Sequence, residues 1–229
     1  MILSEVELKK LKQLDTPTVC NALEIIDPLR RGFGFTTSHL RCSRPHLNPI
    51  VGFACTAVFR GVRPSSRSKT EQKHFEGSYF DYVAESNFPR IAVFQDGDGV
   101  QARSSAIFGE VMSAMHKALG CEGLITDGSV RDMEMMVDEF QCLYGSVAPS
   151  HIWFHMVEFD CEVNINGMVV NSGDLIHADV HGAVIIPSNA VTEIIETAEE
   201  IAKREDRIIS LCRDKNFSVD QLKKIWGGE

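Results

Sequence analysis

Two short runs hold the residue types from which a site for a small anion could be built: Gly109-Glu110-Val111-Met112 and, shortly downstream, Asp127-Gly128-Ser129-Val130-Arg131-Asp132. A glycine-led loop presents backbone N–H groups without side-chain obstruction, and such amides receive carboxylate or phosphate oxygens. Arg131 is permanently charged and forked, so it grips a carboxylate or an enolate oxygen through two parallel hydrogen bonds. Asp132 is a hard oxygen ligand, and one or two carboxylates with several retained waters is the usual way Mg2+ is held. Together these groups would hold an anionic substrate beside a divalent ion. Left to themselves, Arg131 and Asp132 would form an ordinary ion pair, which is the competing reading of the dipeptide.

The surrounding elements decide whether the two runs meet. Ser104-Ser105 precede apolar residues at Ile107, Phe108, Val111, Met115, Ala118 and Leu119, a helical spacing that ends at Gly120. Gly109 and Glu110 then lie near the start of a helix, where the first N–H groups have no intrahelical partner and the dipole is positive. A carboxylate would settle on the amides of Val111 and Met112. Glu122 to Thr126 reads as a short buried strand closed by an Asp127-Gly128 turn. Arg131 and Asp132 follow its carboxyl end, where open α/β sheets build ligand sites.

The full pattern, Phe108-Gly-Glu-x8-Leu-Gly-x2-Gly-Leu-Ile-x-Asp-Gly-Ser-Val-Arg-Asp132, resembles the core signature of the 4-hydroxy-4-methyl-2-oxoglutarate aldolase family, which also contains the regulator of ribonuclease activity A. Leu14-Asp-Thr-Pro-Thr-Val-Cys-Asn-Ala-Leu23 is similar to that family's opening helix. Gly52-Phe-Ala-Cys-Thr-Ala57 is similar to its early strand, and Gly173-Asp-Leu-Ile-His-Ala-Asp-Val-His-Gly-Ala-Val-Ile-Ile-Pro187 to its closing one, so the likeness covers roughly residues 5 to 205. It implies a mixed α/β fold of the swivelling β/β/α kind, one domain over residues 1–229 with 190–229 as a helical C-terminal extension. It also implies roles: the Gly109 to Met112 loop would hold a pyruvyl carboxylate, Arg131 the keto or enolate oxygen, and Asp132 an Mg2+ or Mn2+ ion. Glu110 stands where the aldolases more often carry Asp, and would act as a proton shuttle through water at the metal. Asn21 likewise replaces an Asp common in the opening helix. Trimers or paired trimers are implied too, with a neighbouring subunit adding an acidic residue to the site, for which Glu205 is the candidate.

Composition agrees with an enzyme of this size. At 229 residues and 44% hydrophobic the chain can bury a full core. With 23 basic and 32 acidic residues its net charge is -9, which disfavours a nucleic-acid-binding surface and leaves anion capture to local groups such as Arg131. Seven cysteines are scattered without a Cys-x2-Cys pair, so neither a zinc knuckle nor an iron–sulfur cluster is expected, and free thiols point to a reducing cytoplasm. The first residues lack a basic leader with an apolar core, and no apolar run approaches the ~20 residues needed to span a bilayer.

Elsewhere, helices are expected from Ser4 to Leu14 and from Thr16-Pro17, a cap and first-turn proline, to Ile26. Gly52 to Phe59 and Arg90 to Gln95 read as strands, Phe75 to Val83 as a helix, and Gly61 to Lys73 as an exposed mobile loop able to cover a site. Strands are expected at Gly145 to Ala148, Met156 to Ile165, Met168 to Val170 and Ala183 to Ile186, with an Asn166-Gly167 hairpin turn. From Val191 on, the chain is a helical stripe through Val191, Ile194, Ile195, Ala198, Ile201 and Ala202, continued by Ile208, Leu211, Leu222 and Ile225. Asp96-Gly-Asp-Gly99 lacks the distal ligands of a calcium loop. His151 with His155, and His177 with His181, have the i, i+4 spacing of zinc ligands but fall in strand or loop sequence, where the two rings would stand about 13 Å apart.

The reading that follows is a divalent-metal-dependent lyase that cleaves a 2-keto acid to pyruvate through an enolate, by retro-aldol cleavage or by oxaloacetate decarboxylation. No lysine in the motif is placed for a Schiff base, which favours the metal route. The alternative is a non-catalytic regulator that binds and inhibits a ribonuclease complex.

Overall fold

The longest apolar stretch of the chain, from Ile50 to Phe59, becomes its central strand, with its first eight residues all buried. The computed structural model describes residues 3–99 and 105–227. In chain order its first strands are β1 (Arg41–Cys42), β2 (Ile50–Arg60), β3 (Arg90–Asp96), β4 (Ala106–Phe108), β5 (Cys121–Thr126), β6 (Ser129–Val130) and β7 (Gln141–Tyr144). There follow β8 (Ser146–Val147), β9 (His155–Phe159), β10 (Val163–Ile165), β11 (Met168–Val170), β12 (Leu175–Asp179) and β13 (Gly182–Ile186). The α-helices are α1 (Glu5–Leu11), α2 (Thr16–Ile26), α3 (Lys69–Glu85), α4 (Glu110–Ala118), α5 (Val191–Arg213) and α6 (Val219–Gly227).

The main sheet is mixed and curled. Strands β2, β3, β5 and β7 run parallel, while β1, β12 and β13 extend the edges antiparallel, in the order β1-β7-β5-β3-β2-β12-β13. The length of β2 explains the curl. Its first half pairs with β12, its second half pairs with β9 across a register shift at Val58 and Phe59, and one strand thereby serves two partners on the same edge. The parallel strands are buried on both faces, as their continuous apolar runs require. Helices α3 and α4 cover one apolar cluster around Phe59, Tyr79, Phe94 and Phe108. A second cluster joins α1, α2 and α5 to β2, β12 and β13 through Leu11, Val19, Leu23, Phe53 and Ile194. The β10–β11 hairpin closes a third, turning at Asn166 and Gly167 with φ of 50° and 91° as a two-residue hairpin demands.

The expected mixed α/β architecture with a helical C-terminal end is the one found. Several elements differ in detail. The apolar run through residues 107–119 is two elements, since Ala106–Phe108 pairs in a sheet and the helix starts only at Glu110; Ser104 lies outside the described residues. Asp15, not Thr16, caps α2, its carboxylate accepting the Thr18 amide, because the Thr16 hydroxyl is engaged with His177. The end of the expected Gly61 to Lys73 loop, from Lys69, is helix: Ser68 and Glu71 form a capping box that starts α3 there. The remaining segment is pinned, not mobile. Asp98 accepts the Gly61 and Val62 amides, and Arg67 donates to the Met156 and Val157 carbonyls while lying 4.0 Å over the Phe75 ring. The Met156 to Ile165 stretch breaks after Phe159, and β7 and β12 are additional strands.

All seven cysteines are free, and burial pushes the Cys142 thiol up to about 12 and Cys20 to about 11, so both stay protonated. His177 is buried, donates from Nε2 to the Leu11 carbonyl at 3.1 Å and accepts the Thr16 hydroxyl at Nδ1 at 3.0 Å, tying α1 and α2 to β12. No helix among the described residues is long and apolar enough to cross a membrane.

Two buried imidazoles make stability depend on pH. Burial lowers the pKa of His116 to about 4 and also lowers that of His177. Between the ordinary histidine pKa near 6.5 and the lowered values, the unfolded chain binds protons that the fold refuses, so stability is full above that window and falls as pH drops through it. Urea denaturation at pH 7 and pH 5 should therefore show a loss with a slope of at most about 1.4 kcal/mol per pH unit for each histidine. His116→Asn should flatten the dependence, and equal stability at both pH values would contradict it.

Candidate functional site

Beside the main sheet, β4, β6 and β8 form a small parallel sheet in that order. Each strand is only two or three residues long, and all three release their chains at the same rim. After β4 comes Gly109 and the start of α4; after β6 come Arg131 and Asp132; after β8 the chain reaches His151 to Phe154. The rim formed by these three carboxyl ends is a cleft of about 150 Å3, lined by Ala106 to Gly109, Val111, Met112, Arg131, Asp132, His151 and Phe154. At ~30 Å3 per water it has room for a small organic acid, not for a polymer.

One wall is the start of α4. Gly109 occupies the N-cap and no side chain caps the helix, while the bonded amides begin with Ser113, which donates to the Gly109 carbonyl at 2.9 Å. The Glu110, Val111 and Met112 amides thus have no intrahelical partner at a positive helix end, and the Glu110 amide turns to Asp132 Oδ2 at 3.4 Å. Gly109 is needed for approach, not for an unusual backbone: its φ is extended, but a methyl group there would land on the Asp132 carboxylate and crowd Arg131.

The other wall carries the charges. The Arg131 amide donates to the Phe108 carbonyl at 2.8 Å, locking β6 to β4. The Arg131 Nε lies 3.4 Å from Asp132 Oδ2, and both side chains are a little over a third exposed, so the pair is open to solutes. Such an exposed pair contributes only ~0–1 kcal/mol. Asp132 has a φ of 54°, in the left-handed region that Asp tolerates better than most residues. Its carbonyl accepts the Met135 and Met136 amides at 2.9 and 3.0 Å, which holds that backbone in a turn.

Of the residues singled out in the sequence, Gly109, Val111, Met112, Arg131 and Asp132 line one cleft. Glu110 does not; its side chain is exposed in the first turn of α4, and only its amide faces the site, 3.4 Å from Asp132 Oδ2. Glu205 borders a different groove between α2 and α5. Three contributors went unrecognised in the sequence. Ser113, fully buried, donates from Oγ to the Glu110 carbonyl at 2.7 Å and accepts the Val137 amide at 3.2 Å, bolting α4 to the turn after Asp132. His116 donates from Nδ1 to the Met112 carbonyl at 2.8 Å and accepts the Tyr79 hydroxyl at Nε2, also at 2.8 Å. Neutral by burial, it fixes α4 against the aromatic core without adding charge beneath the anion position. The third, His151, was weighed only as half of a zinc pair; nothing in its neighbouring residues marks it as a cleft wall.

Whether a divalent ion suits these residues is a question of donor chemistry. Among the described residues no three His, Cys, Asp or Glu side chains converge. What the cleft offers is one accessible carboxylate oxygen donor, Asp132, beside space for water and substrate oxygens. That set fits Mg2+ or Mn2+, which keep several waters, and not a structural zinc ion, which needs four protein ligands.

Fold and cleft together define a mixed α/β protein with a small-acid-sized site at the carboxyl ends of parallel strands. The chain belongs to the RraA-like family, described as Aldolase/RraA, whose family model matches residues 16–185. An uncharacterized protein of Methanocaldococcus jannaschii is 32% identical over 106 residues, 45% of this chain and 51% of that protein, so the match spans about half of the relative's length. An uncharacterized protein from Pseudomonas syringae superposes with a TM-score of 0.73 at 18% identity, covering 97% of this chain and 95% of that one. Streptomyces coelicolor RraAS2, an unusual member of the RNase ES inhibitor RraA protein family, superposes with a TM-score of 0.69 at 19% identity, covering 90% and 96%. At these identities the solved structures speak for the fold alone.

The Ser113 bolt generates a test. Ser113→Ala leaves the Val137 amide without its acceptor in a partly buried turn, and should lower the unfolding free energy by ~1–3 kcal/mol in urea denaturation. A change below ~0.3 kcal/mol would show that the bolt carries no load.

Proposed function

We propose that the protein is a divalent-metal-dependent lyase acting on a 2-keto acid, releasing pyruvate by retro-aldol cleavage of a 4-hydroxy-4-methyl-2-oxoglutarate-type substrate or by decarboxylation of oxaloacetate. Its family includes both aldolases and RNase inhibitors. The observation that carries the catalytic reading is the open Arg131 and Asp132 pair facing the uncapped start of α4 within one cleft. A regulator that works through surface contact needs no such convergence.

In this reading the substrate carboxylate rests on the Val111 and Met112 amides, where the helix end supplies positive potential without a mobile side chain. Asp132 would hold the Mg2+ or Mn2+ ion. When bound, that ion supplies Lewis-acid polarisation of the ketone. Arg131 donates to the ketone oxygen, and its hydrogen bonds strengthen as that oxygen gains charge, so it stabilises the transition state more than the ground state. In the retro-aldol direction the C3–C4 electron pair becomes the C2–C3 double bond of the pyruvate enolate, and the C4 hydroxyl loses its proton as C4 becomes a carbonyl. In decarboxylation the same enolate forms as CO2 departs. Water in the cleft takes up these protons and returns one to C3 to give pyruvate, and Glu110, exposed beside the helix start, exchanges protons with that water.

The rim also bears exposed apolar side chains: Val111, Met135 and Trp153 are each more than half exposed. A homo-oligomer, trimer or hexamer, would cover them and narrow the mouth of the cleft.

Purified protein with Mg2+ or Mn2+ should release pyruvate from oxaloacetate or 4-hydroxy-4-methyl-2-oxoglutarate, measured by coupling to lactate dehydrogenase. Arg131→Ala and Asp132→Ala should each lower kcat/KM by ~10²-fold or more, and excess chelator should abolish turnover. Full activity in either variant or in chelator sinks the mechanism.

A further inference from the structure

Asp132 stands beside the place where a ligand's carboxylate would be received, next to the Val111 and Met112 amides and against Arg131. Its Oδ2 lies 3.4 Å from Arg131 Nε and 3.4 Å from the Glu110 amide nitrogen, so a single oxygen faces both the guanidinium and the first amide of α4. Gly109 allows this approach, since any side chain there would collide with the same carboxylate. Both contacts are long for charge-assisted hydrogen bonds, which run ~2.7–2.9 Å. The side chain is about a third exposed. Its backbone is held by the turn to Met135 and Met136, so the carboxylate can leave by rotation about χ1 while the main chain stays in place. A weakly held acceptor thus takes up part of Arg131, a donor that a substrate needs, and puts a negative charge beside the helix start.

Resting on the small-acid reading of the cleft, we propose that Asp132 is a built-in competitor for the anion position, which it vacates only when a cation draws its carboxylate away. An acid that arrives first meets a guanidinium partly engaged through Nε and a like charge close to the amides that would receive it. An acid that arrives after the cation meets free donors and a neutralised Asp132. Cation binding therefore precedes acid binding and generates most of the acid's affinity. By thermodynamic reciprocity the acid tightens the cation by the same factor. Asp132 is in this account both the metal ligand and the gate on the anion site, so removing it loses turnover and improves anion binding.

Calorimetric titration of metal-stripped protein with oxalate, a planar dianion with the shape of the pyruvate enolate, tests this without turnover. Metal-free Asp132→Asn and Asp132→Ala should each bind oxalate about tenfold tighter or more than metal-free wild type, the scale set by removing one unit charge at contact distance. Asn tolerates the left-handed backbone at this position, so at least that variant keeps the turn. Saturating Mg2+ should tighten oxalate binding to wild type and leave both variants unchanged. Variants that bind no tighter than metal-free wild type, while Mg2+-loaded wild type does bind, overturn the gate alone. If Mg2+-loaded wild type takes up no oxalate, the small-acid reading fails and the gate falls with it.

Discussion

The site depends on one electrostatic constraint: a carboxylate, a guanidinium and an uncapped helix start must share a cleft without collapsing into a closed pair. Asp132 and Arg131 satisfy it by remaining partly solvated at 3.4 Å, where their mutual attraction is weak enough for either to exchange partners. Buried together, the same groups would be locked in each other's field and unavailable to a ligand. Gly109 keeps the gap between the helix and the charges narrow, because its missing side chain is the space into which the carboxylate reaches.

The scaffold behind that arrangement is stiff where the charges are loose. Three very short parallel strands could not stand alone, but β4 leads into α4, and the Arg131 amide bonds back to Phe108. Helix α4 is clamped twice: by Ser113 to the turn that follows Asp132, and by His116 to Tyr79 in the aromatic core. Both clamps use neutral hydrogen bonds. The positive end of the helix is therefore the principal fixed field on that wall, and its aim is set by packing deep in the protein.

Much of this was legible in the sequence, for identifiable reasons. Gly109, Arg131 and Asp132 fall at strand and helix ends that turn residues mark, and the apolar runs Gly52 to Phe59 and Arg90 to Gln95 read as strands, which the fold shows to be parallel neighbours. The misread parts share a cause as well. Residues 106–108 carry apolar side chains that satisfy a helical and an extended spacing alike, so only pairing with Val130 across the small sheet decides for strand. The α3 start was hidden in a polar, basic segment whose capping box, Ser68 and Glu71, is stronger than its composition suggested. Ser113 and His116 were invisible as contributors because their partners, Val137 and Tyr79, are brought to them only by tertiary packing. Glu110 was placed on the right element, yet its position in the first turn sends the side chain to solvent and only the amide to the cleft.

The central claim is that Asp132 exchanges a weak internal pairing for a cation. Anomalous scattering from crystals soaked in Mn2+ tests it most directly. The account predicts a peak about 2.1 Å from an Asp132 carboxylate oxygen, with that oxygen turned away from Arg131 and from the Glu110 amide. Manganese bound elsewhere, or an Asp132 still seated between Arg131 and α4 at saturating metal, would contradict it.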